Sequence, residues 1–326
     1  MSKKSNEFGR AYEYCFIVNF RDRISKEVTC HITNNTVLQA AKEAYLGLSE
    51  YEKLLFEMSV KSTFNTIFQM EPRILDKDDK DLTLTLQQDK AGENGDVRDI
   101  LINREILFFK EKENWEIGLS LKHNNDAVKH SRLSAKLDFG NKWYGEPCSR
   151  EYKEEIKPVF YFLKEKKKQK VNFEDIVNKE EIIYIPLLQA FIKELKRAVQ
   201  INPEIPKRLV QYLLSRYDFY KIISLDTRKM TAIESFNLYG KLNQPSNNKK
   251  PSIIVPKIQL PEKILFLDLK PDSTNTVILC FDNGWQFSFR IHNAEKVATP
   301  SLKFDIRIVG MPAELSLKKL CPWEMN

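Results

Sequence analysis

Cysteine is scarce and poorly placed for cross-linking. The five cysteines in 326 residues, Cys15, Cys30, Cys148, Cys280 and Cys321, are scattered, odd in number and without a CxxC pair. Such spacing argues against a disulfide framework or a zinc site and fits a reducing compartment. Long apolar runs are missing too. The longest nearly apolar stretch, Ile182 to Ile192, contains Pro186 and falls short of the roughly 20 residues that a bilayer span needs. The basic start, MSKKSNEFGR, is not followed by an apolar segment at secretory-signal spacing, so a cytoplasmic location is expected. No internal repeat is visible. Hydrophobic residues at 42% and charged residues at 30% exclude both a disordered and a membrane-embedded chain. The length suits one large domain or two ordinary ones.

Lysine and arginine total 52 against 45 acidic residues, a net charge of +7. This allows a nucleic-acid partner without requiring one. The densest basic run, Lys164 to Lys170, has the composition of a solvated helix end.

Residues 6 to 70 have a helical pattern, in segments from Asn6 to about Ser25, from Thr33 to Leu48, and onward from Ser49. Ser49 and Glu52 have the spacing of a capping box. After Pro72 and the charged loop Asp76 to Asp81 the period changes. Leu82, Leu84 and Leu86 alternate with polar residues, as on a half-buried strand. Gly92 and Gly95 punctuate the chain before two short extended runs, Asp99–Ile102 and Ile106–Phe109. Trp115 to Lys122 is a further strand, with Trp115, Ile117, Leu119 and Leu121 on one face and Glu116, Gly118, Ser120 and Lys122 on the other. Helices return from about Ser149 to Tyr217, interrupted near Pro186, Pro203 and Pro206, and Asp218 to Leu225 is extended. Residues 242–252 are polar, proline-punctuated and aperiodic, as in a linker. The β-type runs 253–255, 264–267, 277–281 and 304–309 follow. The expected architecture is mixed α/β: a helical and α/β body over 1–241 and a mostly β region over 253–326.

Cutting a phosphodiester calls for a divalent cation, carboxylates to hold it and a cationic side chain near the attacking water or scissile phosphate. One compact arrangement places an Asp at the start of one strand. A neighbouring strand then carries a polar residue and, two positions on, a Lys, about 7 Å away on the same face. Asp99 before Ile100–Ile102, with Ser120-Leu121-Lys122, has this form, although ordinary strand-end charges have it as well. Asp96 is the rival to Asp99, which is preferred because it directly opens the apolar run. On the first helix Glu13 shares a stripe with Phe16, Ile17, Phe20 and Ile24, where a carboxylate needs either a salt-bridge partner or a metal. His123, Asn124, Asn125, Lys129, His130 and Arg132 crowd the segment after Lys122, as a solvated loop or as donors to phosphates and base edges. Gly284 to Asn293 alternates apolar Trp285, Phe287 and Phe289 with Gln286, Ser288, Arg290 and His292, a DNA-facing or simply half-buried strand.

These segments together resemble the HaeIII-type family of type II restriction endonucleases, within the PD-(D/E)xK nuclease fold. The resemblance is carried by Gly9-Arg-Ala-Tyr-Glu-Tyr14, Gly95-Asp-Val-Arg-Asp99, Gly118-Leu-Ser-Leu-Lys-His-Asn124 and Lys129-His-Ser-Arg-Leu-Ser134. Tyr184-Ile-Pro-Leu-Leu-Gln-Ala-Phe191, Tyr217-Asp-Phe-Tyr-Lys221 and Phe289-Arg-Ile-His-Asn293 complete it, in order along nearly the whole chain. It implies Mg²⁺-dependent cleavage of both strands of double-stranded DNA at GGCC, cut in the middle to give blunt ends, in a bacterial host protected by a cognate DNA methyltransferase. By the same resemblance Asp99 is the metal-binding aspartate, Lys122 the motif lysine and Glu13 an extra carboxylate beside the metal. Ser120 departs from the pattern, which usually has an acid there, and Glu116 lies roughly 13 Å back along the strand, too far to replace it. A palindromic target is most simply read by a homodimer. Arg132, Arg290, Lys129 and Lys303 are the candidates for guanine, with His123, Asn124, His292 and Asn293 beside them. Two other readings are a structure-specific repair or recombination nuclease of the same fold and a non-catalytic DNA-binding protein in which Ser120 marks a decayed site.

Overall fold

The aromatic and aliphatic stripe of the N-terminal segment folds as one long helix, α1 (Lys3–Ile24), closed by Arg21 and Arg23 at the end where the helix dipole favours cations. In this computed structural model, which describes residues 3–88, 95–108, 111–124, 129–313 and 317–324, Phe16, Ile17, Phe20 and Ile24 of that stripe are fully buried, as is Tyr12 beside them. Burying each such side chain contributes about 2 kcal/mol, so packing rather than propensity fixes the helix. Gly92, Phe109 and Asn125 lie outside the described residues, as do the side chains of Lys129 and His130.

The chain divides into two compact units. The first comprises Met1–Asp126, Arg216–Ile258 and Ala313–Asn326, the second Ala127–Ser215 and Gln259–Pro312. Both are assembled from separated stretches, so the expected order of body, linker and C-terminal region is not the division observed.

In the first unit α1 is followed by β1 (Cys30–Ile32), α2 (Thr36–Leu46), α3 (Glu50–Lys61) and α4 (Phe64–Met70). The capping box at α3 is complete: Ser49 N–H donates to Glu52 Oε2 at 2.8 Å, and Glu52 N–H to Ser49 Oγ at 3.3 Å. β1 lies between the first two expected helical segments, and its three residues are too few to show a period. The strands are β2 (Leu82–Leu86), β3 (Ile100–Phe108), β4 (Glu111–His123), then, beyond the second unit's first segment, β6 (Phe219–Leu225), β7 (Met230–Phe236) and β12 (Lys318–Pro322). They form one mixed sheet in the order β1-β2-β3-β4-β6-β7-β12, with β1 parallel to β2 and β4 parallel to β6. β3 is one continuous strand where two short runs were expected. Leu82, Leu84, Leu86, Ile100, Ile102, Ile117, Leu119 and Leu121 are buried in one core with Tyr12, Phe16 and Phe20 of α1 and Phe56 of α3.

Residues 242–252 are a hydrogen-bonded strap within this unit, not a spacer. Asn243 donates to Met70 O at 2.7 Å and Ile253 O at 2.9 Å, Arg73 donates to Pro245 O at 2.6 Å, and Asn247 N–H donates to Asp76 Oδ2 at 2.8 Å. Ile253–Val255, expected to be extended, continues this strap and joins no strand.

The second unit holds β5 (Lys129–Leu133), α5 (Phe139–Tyr144), α6 (Arg150–Lys168), α7 (Ile185–Ile201), α8 (Ile205–Leu213), β8 (Ile264–Leu269), β9 (Thr276–Phe281), β10 (Gln286–His292) and β11 (Leu302–Gly310). Pro206 sits in the first turn of α8, where a missing N–H costs nothing, so it begins a helix instead of interrupting one, whereas Pro186 stands where the π-helical turn Glu180–Tyr184 passes directly into α7. The sheet is antiparallel, in the order β5-β11-β10-β9-β8. Phe289 and Phe304 on one of its faces meet Phe191 at ring distances of 5.8 and 5.4 Å. Among the described residues no helix is long and apolar enough to cross a membrane.

Candidate active site

β3 and β4 are antiparallel neighbours with Ile100 opposite Leu119, which sets Asp99 beside Ser120 at the end of the ladder. The main chain of Asp99 is clamped on both sides. Its N–H donates to Leu119 O at 2.8 Å, and its carbonyl accepts from Gln87 N–H at 2.9 Å. Its carboxylate faces β4 and collects three donors on one oxygen: Leu121 N–H at 2.6 Å, Lys122 Nζ at 3.2 Å and Ser120 Oγ at 3.3 Å, all to Oδ2. Asp99, Ser120 and Lys122, paired on sequence spacing alone, are thus brought into contact. Ser120 acts as a donor to Asp99, whereas a carboxylate at that position would repel it. Its register partner on β6 is Lys221, also buried.

The arrangement fits a hard cation. Asp99 Oδ1 has no hydrogen-bond partner among the described residues, and the side chain is 24% exposed. No group of three His, Cys, Asp or Glu side chains that could cage a metal occurs among the described residues. Mg²⁺ needs no such cage, since it binds through one or two carboxylates together with water and substrate phosphate. Glu13 is half-buried on α1, directly after Tyr12, and α1 packs against β4.

Asp96 has a different task. Arg98 binds it twice, Nε to Oδ1 and Nη2 to Oδ2, both at 2.8 Å, and Gln87 Nε2 adds a bond at 3.0 Å. Burial pushes the Asp96 carboxyl up, but the Arg98 and Gln87 bonds outweigh it and hold the group below its ordinary value. The same guanidinium reaches Glu116 Oε1 at 2.7 Å and lies 4.1 Å from the centre of the Tyr217 ring. Its aliphatic stem crosses Gly118 so closely that a Cβ there would sit 1.9 Å from Arg98 Cδ. Glycine at 118 is therefore a packing requirement.

His123 and Asn124, expected to face DNA, are bonded within the protein. His123 Nε2 lies 2.6 Å from Asp226 Oδ2, Asn124 Nδ2 donates to the same oxygen at 3.1 Å, and Asn124 Oδ1 accepts from Asp226 N–H at 3.1 Å. Sequence reasoning missed Asp226; its one signal is an aspartate placed directly after the strand ending at Leu225.

In the second unit, register gathers four of the expected DNA-contacting residues from three strands. Arg290 on β10 is opposite Asp305 on β11, His292 is opposite Lys303, and Lys303 is opposite Arg132 on β5. Arg290 Nη2 donates to Asp305 Oδ2 at 2.9 Å, Lys303 Nζ lies 3.9 Å from Oδ1, and Arg132 is exposed. Neighbouring strand residues alternate faces, so this polar surface lies opposite the face that carries Phe289 and Phe304. Asn293 instead builds the loop after β10, donating to Val297 O at 2.8 Å and accepting from Thr299 Oγ1 at 2.8 Å.

The model of the HaeIII restriction endonuclease family matches residues 9–312. The type II restriction enzyme HaeIII of Haemophilus aegyptius is 46% identical over 325 residues, covering 99% of this chain and 100% of that protein. No solved structure matches the chain.

Proposed function

Since this chain belongs to the HaeIII restriction endonuclease family and is therefore a site-specific endonuclease, we propose that it makes Mg²⁺-dependent double-strand cuts at GGCC. The cut falls between G and C and leaves blunt ends. The observation that carries the chemical part is the 3.2 Å contact between Lys122 and Asp99 on adjacent strands, with Asp99 Oδ1 left to a ligand. Asp99, with Glu13 as the second carboxylate, would hold Mg²⁺. When bound, the ion supplies a Lewis acid that neutralises charge on the phosphate and lowers the pKa of water.

The chain's own residues do the rest. Leu121 N–H and Ser120 Oγ fix the Asp99 carboxylate, so that its other oxygen is presented in one orientation. Lys122, 31% exposed, is close enough to exchange its bond to Asp99 for one to the scissile phosphate or the attacking water. No covalent enzyme intermediate is required.

Target reading falls to Arg132, Arg290 and Lys303, whose guanidinium and ammonium groups match the O6 and N7 acceptors of guanine. His292, opposite Lys303 in the register, extends the same surface. A two-fold homodimer, each subunit addressing half the palindrome, is the simplest reader, and a cognate methyltransferase protects the cytoplasmic DNA of the bacterial host. The test is digestion of a sequenced plasmid with purified protein and Mg²⁺. Discrete fragments, all blunt and all ending in GG and CC, are expected. Fragments ending at junctions or flaps, or none, would remove this reading.

A further inference from the structure

We propose that Asp226 is a positioning residue of the cleavage site, acting through His123 to hold the end of the catalytic strand against the first helix. The proposal rests on the nuclease reading above and adds to it a residue outside the carboxylate and lysine set.

β4 ends at His123, one residue after Lys122, and Asp226 opens the turn between β6 and β7. The two strand ends are fastened reciprocally. Asp226 Oδ2 receives His123 Nε2 and Asn124 Nδ2, while Asp226 N–H donates to Asn124 Oδ1. Asp226 Oδ1 accepts from Ser224 Oγ at 2.6 Å, and Asn124 N–H donates to Ser224 O at 3.0 Å. Asn124 takes a positive φ of 51°, a conformation that asparagine tolerates better than most residues, so the chain can turn while both its side-chain ends stay bonded. Burial pushes the Asp226 carboxyl up. The bonds from His123, Ser224 and Asn124 outweigh it and keep the group below its ordinary value, so an ionised acceptor faces the imidazole.

The other side of the imidazole belongs to the helices. Its ring stacks on Phe8 of α1 at 5.7 Å and 19°, meets Phe56 of α3 edge-on at 5.1 Å, and lies 6.3 Å from Tyr12. Phe8 and Tyr12 are one turn apart on α1, and Glu13 comes next. His123 is thus a side chain through which α1 and β4 touch, and Asp226 sets its orientation. Lys122 and His123 project to opposite sides of β4. Fixing the second therefore fixes the backbone that aims the first at Asp99. A misplacement of 1 Å at a reacting group costs about a hundredfold in rate.

The experiment is a double-mutant cycle in the full-length enzyme, with Asp226→Ala, His123→Ala and the pair. The substrate is a duplex carrying the sequence found at the wild-type fragment ends. Single-turnover rate, the Mg²⁺ concentration at half-maximal rate, and affinity for the same duplex in Ca²⁺ are measured. Asp226→Ala is expected to slow cleavage by about a hundredfold and to raise the half-saturating Mg²⁺ severalfold, with affinity within about threefold of wild type. The pair is expected to be no slower than the slower single variant, because the two residues act as one unit. Asp226→Asn keeps one acceptor oxygen for His123 and should recover most of the rate lost in Asp226→Ala. An Asp226→Ala enzyme that cleaves within threefold of wild type, or one with an unchanged Mg²⁺ requirement, overturns the proposal, and the same two results for His123→Ala do so where Asp226→Ala does not fold. Losses that multiply in the pair overturn it too. Failure of the wild-type enzyme to cut would instead strike at the nuclease reading itself.

Discussion

Replacing Gly118 with alanine tests the packing beneath the candidate site. A methyl group at 118 would meet Arg98 Cδ at 1.9 Å, Cγ at 2.5 Å and Cβ at 3.0 Å. The clash is with the root of the side chain, so swinging its tip aside does not relieve it. The tip is also tied, by two bonds of 2.8 Å to Asp96 and one of 2.7 Å to Glu116. Arg98 and Asp96 are 6% and 11% exposed and Glu116 is 29% exposed, so the Asp96 bonds dominate the penalty. Breaking a buried ion pair and stranding its carboxylate costs about 3–5 kcal/mol. Gly118→Ala should therefore lower stability by about 3 kcal/mol. Urea unfolding followed by circular dichroism measures this, in the wild-type background and in Arg98→Ala. With the arginine stem removed the methyl has room, and alanine in a strand is favoured over glycine by about 0.5–1 kcal/mol. The penalty should therefore vanish or change sign. Equal penalties in the two backgrounds, or a Gly118→Ala variant as stable as wild type, would show that the stem does not dictate the glycine.

Three further outcomes are expected. Lys122→Ala should abolish cleavage while affinity for the target duplex in Ca²⁺ stays within threefold; parallel loss of both would contradict its assignment to the chemistry. Arg290→Gln should weaken binding and relax sequence preference within the target, as expected for a guanine reader. Intact preference with a slope of log affinity against log salt reduced by about 0.9 would instead mark it as a phosphate contact. The third concerns Glu71, whose Oε1 accepts from Tyr220 Oη and Asn243 N–H, both at 2.6 Å. Burial pushes its carboxyl from 4.5 up to about 7, against the pull of those two bonds. The folded state then binds the proton more tightly than the unfolded chain. Its contribution is fully present below about pH 4.5 and is lost as pH rises toward 7, by about 3 kcal/mol in all. Glu71→Gln, which mimics the neutral acid, should gain thermal stability over wild type across that interval, and parallel melting curves would refute the assignment.

What the sequence disclosed depended on how local each signal was. The alternation in 82–86 and 115–122 and the stripe on α1 appear in the fold as expected, because one element's period needs no knowledge of its partners. Asp99 and Lys122 were legible for the same reason: a charge opening one strand and a spacing of two on another imply a shared face. β7 leaves no periodic signal because five of its seven residues are buried, which erases the alternation. β5 has the composition of a donor-rich loop, since Lys129, His130 and Arg132 mask a strand that only pairing with β11 reveals. His123 finds Asp226 103 positions away, a separation at which no local pattern operates. The strap at 242–252 has a linker's composition, yet its asparagines are bonded to carbonyls and carboxylates on distant segments.

The parallel pairing of β4 with β6 has a consequence for how the protein is made. Residues 127–215 must leave the ribosome before Phe219–Leu225 can take its place beside the strand that carries Lys122. Until then a nascent chain exposes an open hydrogen-bonding edge in what will become the middle of a seven-stranded sheet. Synthesis at about 5–20 residues per second leaves that edge bare for several seconds. Chaperone capture and off-pathway association should therefore concentrate in that window, and both should ease once Met230–Phe236 has emerged and β6 is held from both sides.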